Sequence, residues 1–264
     1  GSVRLFGSGG TSRKLWIAGD SLAYGLGVKA NETLGAHLSH SITRQTGGGV
    51  ETRQLAVPGA GYCTVVQRVA GAMVNNKPDM VLLVLSADDL EERLMLSVQG
   101  QLVAPPDLAS GRFTRYLVQR SWFANLVWFR LTAWRESSQE GKRFVGQETQ
   151  DDFRAAMGEL NRRVTSAGGR LAVSIVEPPG MPHCSGSLVQ ERCEWLKADM
   201  VTMSRLLGEA GVTHQTIQGI WGTSMDYIVP RERGIASRGM LAMHPSAAGH
   251  TKLAEEIWPF MASS

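Results

Sequence analysis

Short apolar runs of strand character alternate with longer segments of helical periodicity, and this alternation constrains the fold more than any other feature of the sequence. The clearest run, residues 80–85 (MVLLVL), is unbroken by polar residues, as expected of a central parallel strand covered on both faces. Strands separated by helical segments are typical of parallel sheets with helical crossovers. The sequence therefore predicts an α/β protein.

The boundaries of the predicted elements follow from periodicity and from turn residues. Strands are predicted at 14–18, 50–57, 80–85 and 170–176, and helices at 31–43, 64–74, 149–167, 188–210 and 247–261. The first helix has Asn31 as its predicted N-cap, with Leu34, Leu38 and Ile42 on one face. Pro-Gly sequences end the second and fourth strands.

Length and composition indicate one domain with a full-sized core. The chain has 264 residues, of which 43% are hydrophobic, and a net charge of +3, which is too small to argue for a nucleic-acid partner. No apolar run reaches the roughly 18–20 residues of a membrane span. We interpret residues 1–13 as a tag and N-terminal extension, since Gly1-Ser2 resembles a tag scar, and residues 14–264 as the domain.

An aromatic-rich insertion at about residues 100–142 is the least typical part of the sequence. Aromatic and aliphatic side chains cover nearly the whole circumference of the helix predicted within it, at about 112–135, so that helix must be hidden from water. One interpretation is a buried or capping helix. The other is a lid, or a surface for a membrane or a membrane-associated partner, with polar contacts from Arg112, Arg115, Arg120, Arg130 and Arg135.

Four segments follow predicted strands or precede the last helix, where the reactive sites of α/β sheets lie. These are 19–21 (Gly-Asp-Ser), 58–59, 86–89 and the segment around His244. Ser21 is a candidate nucleophile in an exposed turn, although Asp and Ser are also common turn formers. His244 is a candidate base or a capping residue, whereas His250 falls inside the last helix and is interpreted as structural.

The glycine runs and the cysteines offer two further candidates. The runs 7–10 and 47–49 lack the pattern of a phosphate-binding loop, so we do not predict nucleotide binding. Cys184 and Cys193 are close enough in sequence to form a disulfide in an oxidising compartment, with Cys63 left over. A zinc site with His183, Cys184 and Cys193 is the poorer alternative because no second ligand pair accompanies it, and we predict no metal.

Taken together, these segments resemble the SGNH (GDSL) hydrolases. The resemblance rests on Gly19-Asp20-Ser21-Leu22, Gly59, Asp88-Asp89 and His244-Pro245, which occur in the family's order and strand context over residues 14–261. Four segments are similar in sequence to the exported bacterial branch of the family, which includes glycan esterases and O-acetyltransferase-like proteins. These are 25–28 (GLGV), 57–61 (VPGAG), 77–81 (KPDMV) and 244–250 (HPSAAGH).

The resemblance implies a three-layer α/β/α, flavodoxin-like parallel sheet and serine acyl-transfer chemistry without a cofactor. Ser21 would attack an ester carbonyl and His244 would accept its proton, while the amides of Ser21 and Gly59 would stabilise the oxyanion. The resemblance also implies an acylated carbohydrate or other small ester as substrate, and a periplasmic or otherwise exported protein.

Two departures from the family pattern leave an alternative open. Asp88 stands where the family has an oxyanion-binding Asn, and Leu241 stands where an Asp orients the histidine. Losing such groups costs about 10² to 10⁴ in rate, unless another carboxylate, such as Asp226 or Glu232, substitutes. The interpretations are therefore an esterase or O-acyltransferase with a Ser-His dyad, or a non-catalytic carbohydrate-binding or assembly module.

Overall fold

A computed structural model describes residues 13–87, 89–90, 96–98, 101–103, 147–179, 187–222, 224–229 and 244–263. Within these residues, a parallel sheet has the strand order β2-β1-β3-β6-β7. Its strands are β1 (Arg13–Gly19), β2 (Val50–Gln54), β3 (Met80–Ser86), β6 (Arg170–Val176) and β7 (Thr213–Ile217). A separate antiparallel hairpin joins β4 (Leu96–Val98) and β5 (Gln101–Val103).

Helices cover both faces of the sheet, so the predicted three-layer α/β/α architecture is confirmed. The helices are α1 (Ser21–Tyr24), α2 (Leu34–Thr46), α3 (Tyr62–Met73), α4 (Gln147–Ser166), α5 (Ser187–Glu209) and α6 (Ala247–Ser263). Helices α3, α4 and α5 pack on one face of the sheet, and α1, α2 and α6 pack on the other.

The alternating side chains of the central strands explain the two cores. Along β1, Trp16 and Ala18 enter one core, whereas Leu15 and Ile17 enter the other, because successive residues of a strand point to opposite faces. All seven residues of β3 are buried, which confirms that its apolar run forms a central strand. The strand β1 lies between β2 and β3, so the order of connections reverses beside it, where α/β folds bind ligands.

The predicted and the observed elements differ in three places. Helix α2 is capped by the Thr33 hydroxyl, which accepts from the Ala36 amide; Asn31 is not the cap and lies in the 3-10 turn Ala30–Glu32. The second strand ends at Gln54 rather than at 57. Strand β7 was not predicted, because an edge strand with largely polar residues, of which only Ile217 is buried, lacks an apolar run.

Several predictions fall on other parts of the chain. The predicted helix at 112–135 and residues 1–12 lie outside the described residues. The hairpin β4–β5 occupies the start of the predicted insertion and was not predicted. None of the helices in the described ranges is long and apolar enough to cross a membrane.

The cysteines are described in part. Cys193 is disulfide-bonded and Cys63 is not in a disulfide. Cys184, the remaining cysteine of the sequence, lies outside the described residues, as does His183. The pairing of Cys184 with Cys193 therefore stays a prediction.

Candidate active site at the carboxyl edge of the sheet

Ser21 begins α1 one residue after β1 ends, at a turn whose geometry requires glycine. Gly19 has φ 150°, and a Cβ on this residue would lie 2.1 Å from the carbonyl oxygen of Val84 in β3. The chain can therefore pass this close to β3 only without a side chain. This close approach places Ser21 at the edge where the central strands end.

The carboxylate of Asp20 holds this turn. It is buried, accepts the Leu22 amide at 2.8 Å as the cap of α1, and accepts the Ser21 hydroxyl at 3.3 Å. The hydroxyl of Ser21 is thus oriented by its neighbour in this conformation, and the side chain is partly exposed. An attack on an ester would require the hydroxyl to turn from Asp20 towards a base.

The predicted oxyanion residue Gly59 lies in a tight turn beside Ser21. The Ala60 amide donates to the Val57 carbonyl at 3.1 Å, and Gly59 has φ 74°, as expected of a Pro-Gly turn that needs a positive φ at its third position. The Val57 amide donates to the Gly19 carbonyl at 3.0 Å. That bond fixes the turn against the segment that carries Ser21.

The segment after β3 approaches from the other side of β1. Gly19 is paired with Val84, so the residues that follow Ser86 extend beyond the same edge as Ser21. Asp89 is buried and its carboxylate accepts the Ser86 amide at 2.7 Å, which shapes the turn. Asp88, the residue at the family's Asn position, lies outside the described residues, and its role stays a prediction.

His244 is positioned by backbone pairing with the segment 225–229. Its carbonyl accepts the Val229 amide at 3.0 Å, and the Ser246 amide donates to the Tyr227 carbonyl at 2.8 Å. The Ser246 hydroxyl donates to the backbone carbonyl of Asp226 at 2.5 Å. The structure therefore brings Asp226, one of the two candidate supporting carboxylates, next to the histidine segment.

The Asp226 carboxylate itself is exposed and accepts the Ser224 hydroxyl at 3.3 Å. Glu232, the other candidate, lies outside the described residues. The pairing of Ser21 with His244 and its support by a carboxylate stay predictions.

His250 lies in the first turns of α6 and is completely buried. Among the described residues, neither of its ring nitrogens has a hydrogen-bond partner in the protein. Its pKa is lowered to about 4, chiefly because burial disfavours the charged ring and to a smaller extent because of electrostatic interaction with His37 and His244. His250 is therefore neutral near pH 7, in keeping with the interpretation that it is structural.

A buried carboxylate at the same edge was missed by sequence reasoning. Glu177 directly follows β6, accepts the Gly219 amide through its side chain, and accepts the Trp221 indole N–H at 2.5 Å through its backbone carbonyl. Trp221 in turn packs against Gly249 at the start of α6. The position of Glu177 directly after a strand is a sequence signal for a site residue, but the Pro-Pro-Gly at 178–180 was interpreted only as the end of the strand.

Esterases are among the solved structures that share this fold. The chain is similar to TesA (TM-score 0.54, 14% identity, covering 94% of this chain and 98% of that one). It is also similar to a catalytic mutant of the acetylxylan esterase Axe2 from Geobacillus stearothermophilus (0.55, 12%, 96% and 95%). TesA and Axe2 are SGNH hydrolases. The chain has the fold of an SGNH hydrolase.

The SGNH fold is also shared with the psychrotrophic esterase EstA from Pseudoalteromonas sp., solved as inhibited by monoethylphosphonate (TM-score 0.53, 12% identity, covering 95% of this chain and 97% of that one). Neither a family model nor a curated protein matches the sequence. At these identities the likeness establishes the fold, so the chemistry has to be argued from the residues at the edge of the sheet.

Proposed function

We propose that the protein is a serine-dependent ester hydrolase. The observation that carries the proposal is the convergence of the Ser21 turn and the Gly59 turn beyond the carboxyl end of β1, joined by the hydrogen bond from Val57 to Gly19. Structural neighbours that are esterases support the same chemistry. No step needs a metal or a cofactor.

In the proposed mechanism, the Ser21 hydroxyl leaves Asp20 and attacks the ester carbonyl while His244 takes its proton. The amides of Ser21 and Gly59 donate to the oxyanion of the tetrahedral intermediate. His244 then protonates the departing alcohol, which leaves an acyl-serine. Water hydrolyses this intermediate, with His244 again as base, and returns the enzyme to its starting state.

The finer part of the proposal concerns the substrate and the compartment. We propose acetyl esters of envelope carbohydrate as substrates; the acetylxylan esterase among the structural neighbours supports this class. A sugar hydroxyl in place of water would make the same acyl-serine an O-acyltransferase intermediate.

Periplasmic or other exported localisation is supported by the disulfide-bonded state of Cys193, since disulfides persist in oxidising compartments. The segment 112–135, for which the sequence predicts a helix, is proposed as the surface for a membrane-associated partner.

The test uses a fluorophosphonate probe and p-nitrophenyl acetate. The wild-type protein is expected to be labelled at Ser21, and Ser21→Ala to lose both labelling and turnover, because the hydroxyl forms the covalent bond. His244→Gln should lower kcat by about 10³-fold or more, since the base is lost. Ser41→Ala, a substitution of a half-buried serine within α2, is the matched control and should keep labelling and turnover.

A second candidate function follows from the two departures at Asp88 and Leu241. A site that lacks the family's amide donor and orienting carboxylate fits a non-catalytic carbohydrate-binding or assembly module. Folded wild-type protein that neither reacts with the probe nor hydrolyses the ester would reject the hydrolase proposal and favour this module.

A further inference from the structure

A cavity of about 570 Å³ opens beside α1, on the side of the sheet formed by α2 and the edge strand β2. Its volume lies within the range of about 300–1,000 Å³ that is typical of small-molecule sites. Val50, Thr52 and Gln54 line it from one face of β2, and Gly35, Ala36 and Ser39 line it from α2. The mechanism proposed above does not use this cavity.

The cavity begins one helical turn from Ser21. Tyr24 and Gly25 line it, and they are the last residue of α1 and the residue that caps it. The Gly25 amide donates to the Ser21 carbonyl at 3.2 Å. The Gln54 side-chain amide donates to the Ala23 carbonyl at 2.6 Å. The cavity is therefore held against the helix that begins with Ser21.

The walls of the cavity are uncharged and carry several hydroxyl groups. None of the residues that line it is Asp, Glu, Lys, Arg or His, so it offers no counter-charge to a phosphate or carboxylate group. Ser39 and Thr52 make no hydrogen bond to the protein through their hydroxyls within the described part of the chain. Gln54 uses its NH₂ group on Ala23 and leaves its carbonyl oxygen as an acceptor.

Tyr24 adds an aromatic wall. Its side chain is 45% exposed, although large hydrophobic residues of soluble proteins are mostly covered. An aromatic ring beside unpaired hydroxyls suits a ligand with an apolar face and a polar rim, which describes a sugar ring. An acyl chain would leave the hydroxyls of Ser39 and Thr52 without partners, which disfavours its binding.

We propose that this cavity is a saccharide subsite, in which a sugar ring of the substrate's alcohol part stacks on Tyr24 and hydrogen-bonds Ser39, Thr52 and Gln54. This inference rests on the proposed function in that it names the part of the ester that the hydrolase binds. It also makes a claim about binding that holds whether or not the acyl-transfer chemistry is fast.

Substrate selectivity tests the subsite. We compare kcat/KM for an O-acetylated cellobiose with kcat/KM for p-nitrophenyl acetate, which has no sugar ring. In Tyr24→Ala the ratio of kcat/KM for the sugar ester to kcat/KM for p-nitrophenyl acetate should fall about tenfold, through a higher KM for the sugar ester, because a stacking surface is lost. In Thr52→Val the same ratio should fall about threefold, because one hydrogen bond is lost. Tyr24→Phe should keep the ratio. Val74→Ala removes another exposed hydrophobic side chain, at the end of α3, and is the matched control.

Binding without turnover separates this inference from the proposed chemistry. Cellobiose is titrated into Ser21→Ala protein and followed by NMR, with and without the added Tyr24→Ala change. Binding that weakens about tenfold with Tyr24→Ala supports the subsite even if the wild type hydrolyses no ester.

Three results would overturn the subsite. The first is that cellobiose binds neither protein. The second is that both esters lose activity equally in Tyr24→Ala, as a purely structural role would require. The third is that the variants selectively lose activity towards p-nitrophenyl octanoate, which would assign the cavity to an acyl chain.

Discussion

The ring of His250 couples the stability of the fold to pH. Its pKa is about 4 in the folded protein, against 6.5 for an unperturbed histidine, chiefly because burial disfavours the charged ring. Between these two values the unfolded chain takes up a proton that the folded ring refuses. The contribution of neutral, buried His250 to the stability of the fold is therefore complete above pH 6.5. It falls as the pH is lowered towards 4 and does not fall further below that.

We expect the free energy of unfolding to decrease by about 3 kcal/mol because of His250 when the pH is lowered from 6.5 to 4, with a slope of up to about 1.4 kcal/mol per pH unit. Denaturant titrations at a series of pH values measure the slope. His250→Gln should remove this part of the slope, whatever its effect at neutral pH. His40→Gln is the matched control, since His40 is an exposed histidine on α2. Equal slopes in His250→Gln and the wild type would contradict the assignment.

At the scale of residues, short motifs in the sequence supply the candidates for the site, and their catalytic roles stay predictions. Ser21, Gly59 and His244 were identified from their place after a strand or before a helix. Asp20 belongs to the same motif as Ser21, but its capping bond from the Leu22 amide was not predicted. Tyr24, which we propose as the stacking surface of the subsite, was not predicted, because its exposure and the cavity beside it depend on where α2 and β2 pack, and no local sequence pattern indicates such packing.

At the scale of elements, the approach of β1 to β3 depends on Gly19. A side chain there would meet the backbone oxygen of Val84, which cannot move without distorting the sheet, and φ of 150° is unfavourable for any other residue. We expect Gly19→Ala to destabilise the protein by about 3 kcal/mol or more, measured by denaturant unfolding.

Gly71 provides the matched control for this substitution. It lies within α3, and a Cβ there would contact nothing within 4 Å. Gly71→Ala should therefore stabilise the helix by about 0.5–1 kcal/mol. If both substitutions changed stability by the same small amount, the close approach of β1 to β3 would not be the constraint argued here.

Prediction of elements succeeded where burial is uniform along the segment. The apolar runs of β3 and β6 were predicted to within one residue, because a strand covered on both faces needs apolar residues throughout. Strand β7 and the end of β2 are exposed edges, where polar side chains are tolerated and the sequence carries no period. The Asn31 cap was a plausible alternative to Thr33, and the two cannot be distinguished by residue type alone.

At the scale of the whole molecule, the cysteines connect stability with compartment. The disulfide-bonded Cys193 lies in α5. That helix packs through Leu196 and Met200 into the core that it shares with α3 and α4. A disulfide from Cys193 to Cys184 would close a loop of about ten residues. By the loop-entropy relation such a bond stabilises the folded state by about 3 kcal/mol, provided that the protein folds in an oxidising compartment.

Reduction should therefore lower the Tm of the wild-type protein by roughly 6–12 °C, from the usual relation between unfolding free energy and Tm in a chain of this size. Thermal unfolding with and without dithiothreitol measures the shift. Cys193→Ser should start at the lower Tm and not respond to the reductant, because the bond is already absent. Cys63→Ser should respond as the wild type does, since Cys63 is not in a disulfide. The pairing of Cys184 with Cys193 would be rejected if dithiothreitol did not change the wild-type Tm and non-reduced peptide masses showed Cys184 as a thiol. The main structural support for export would then be lost.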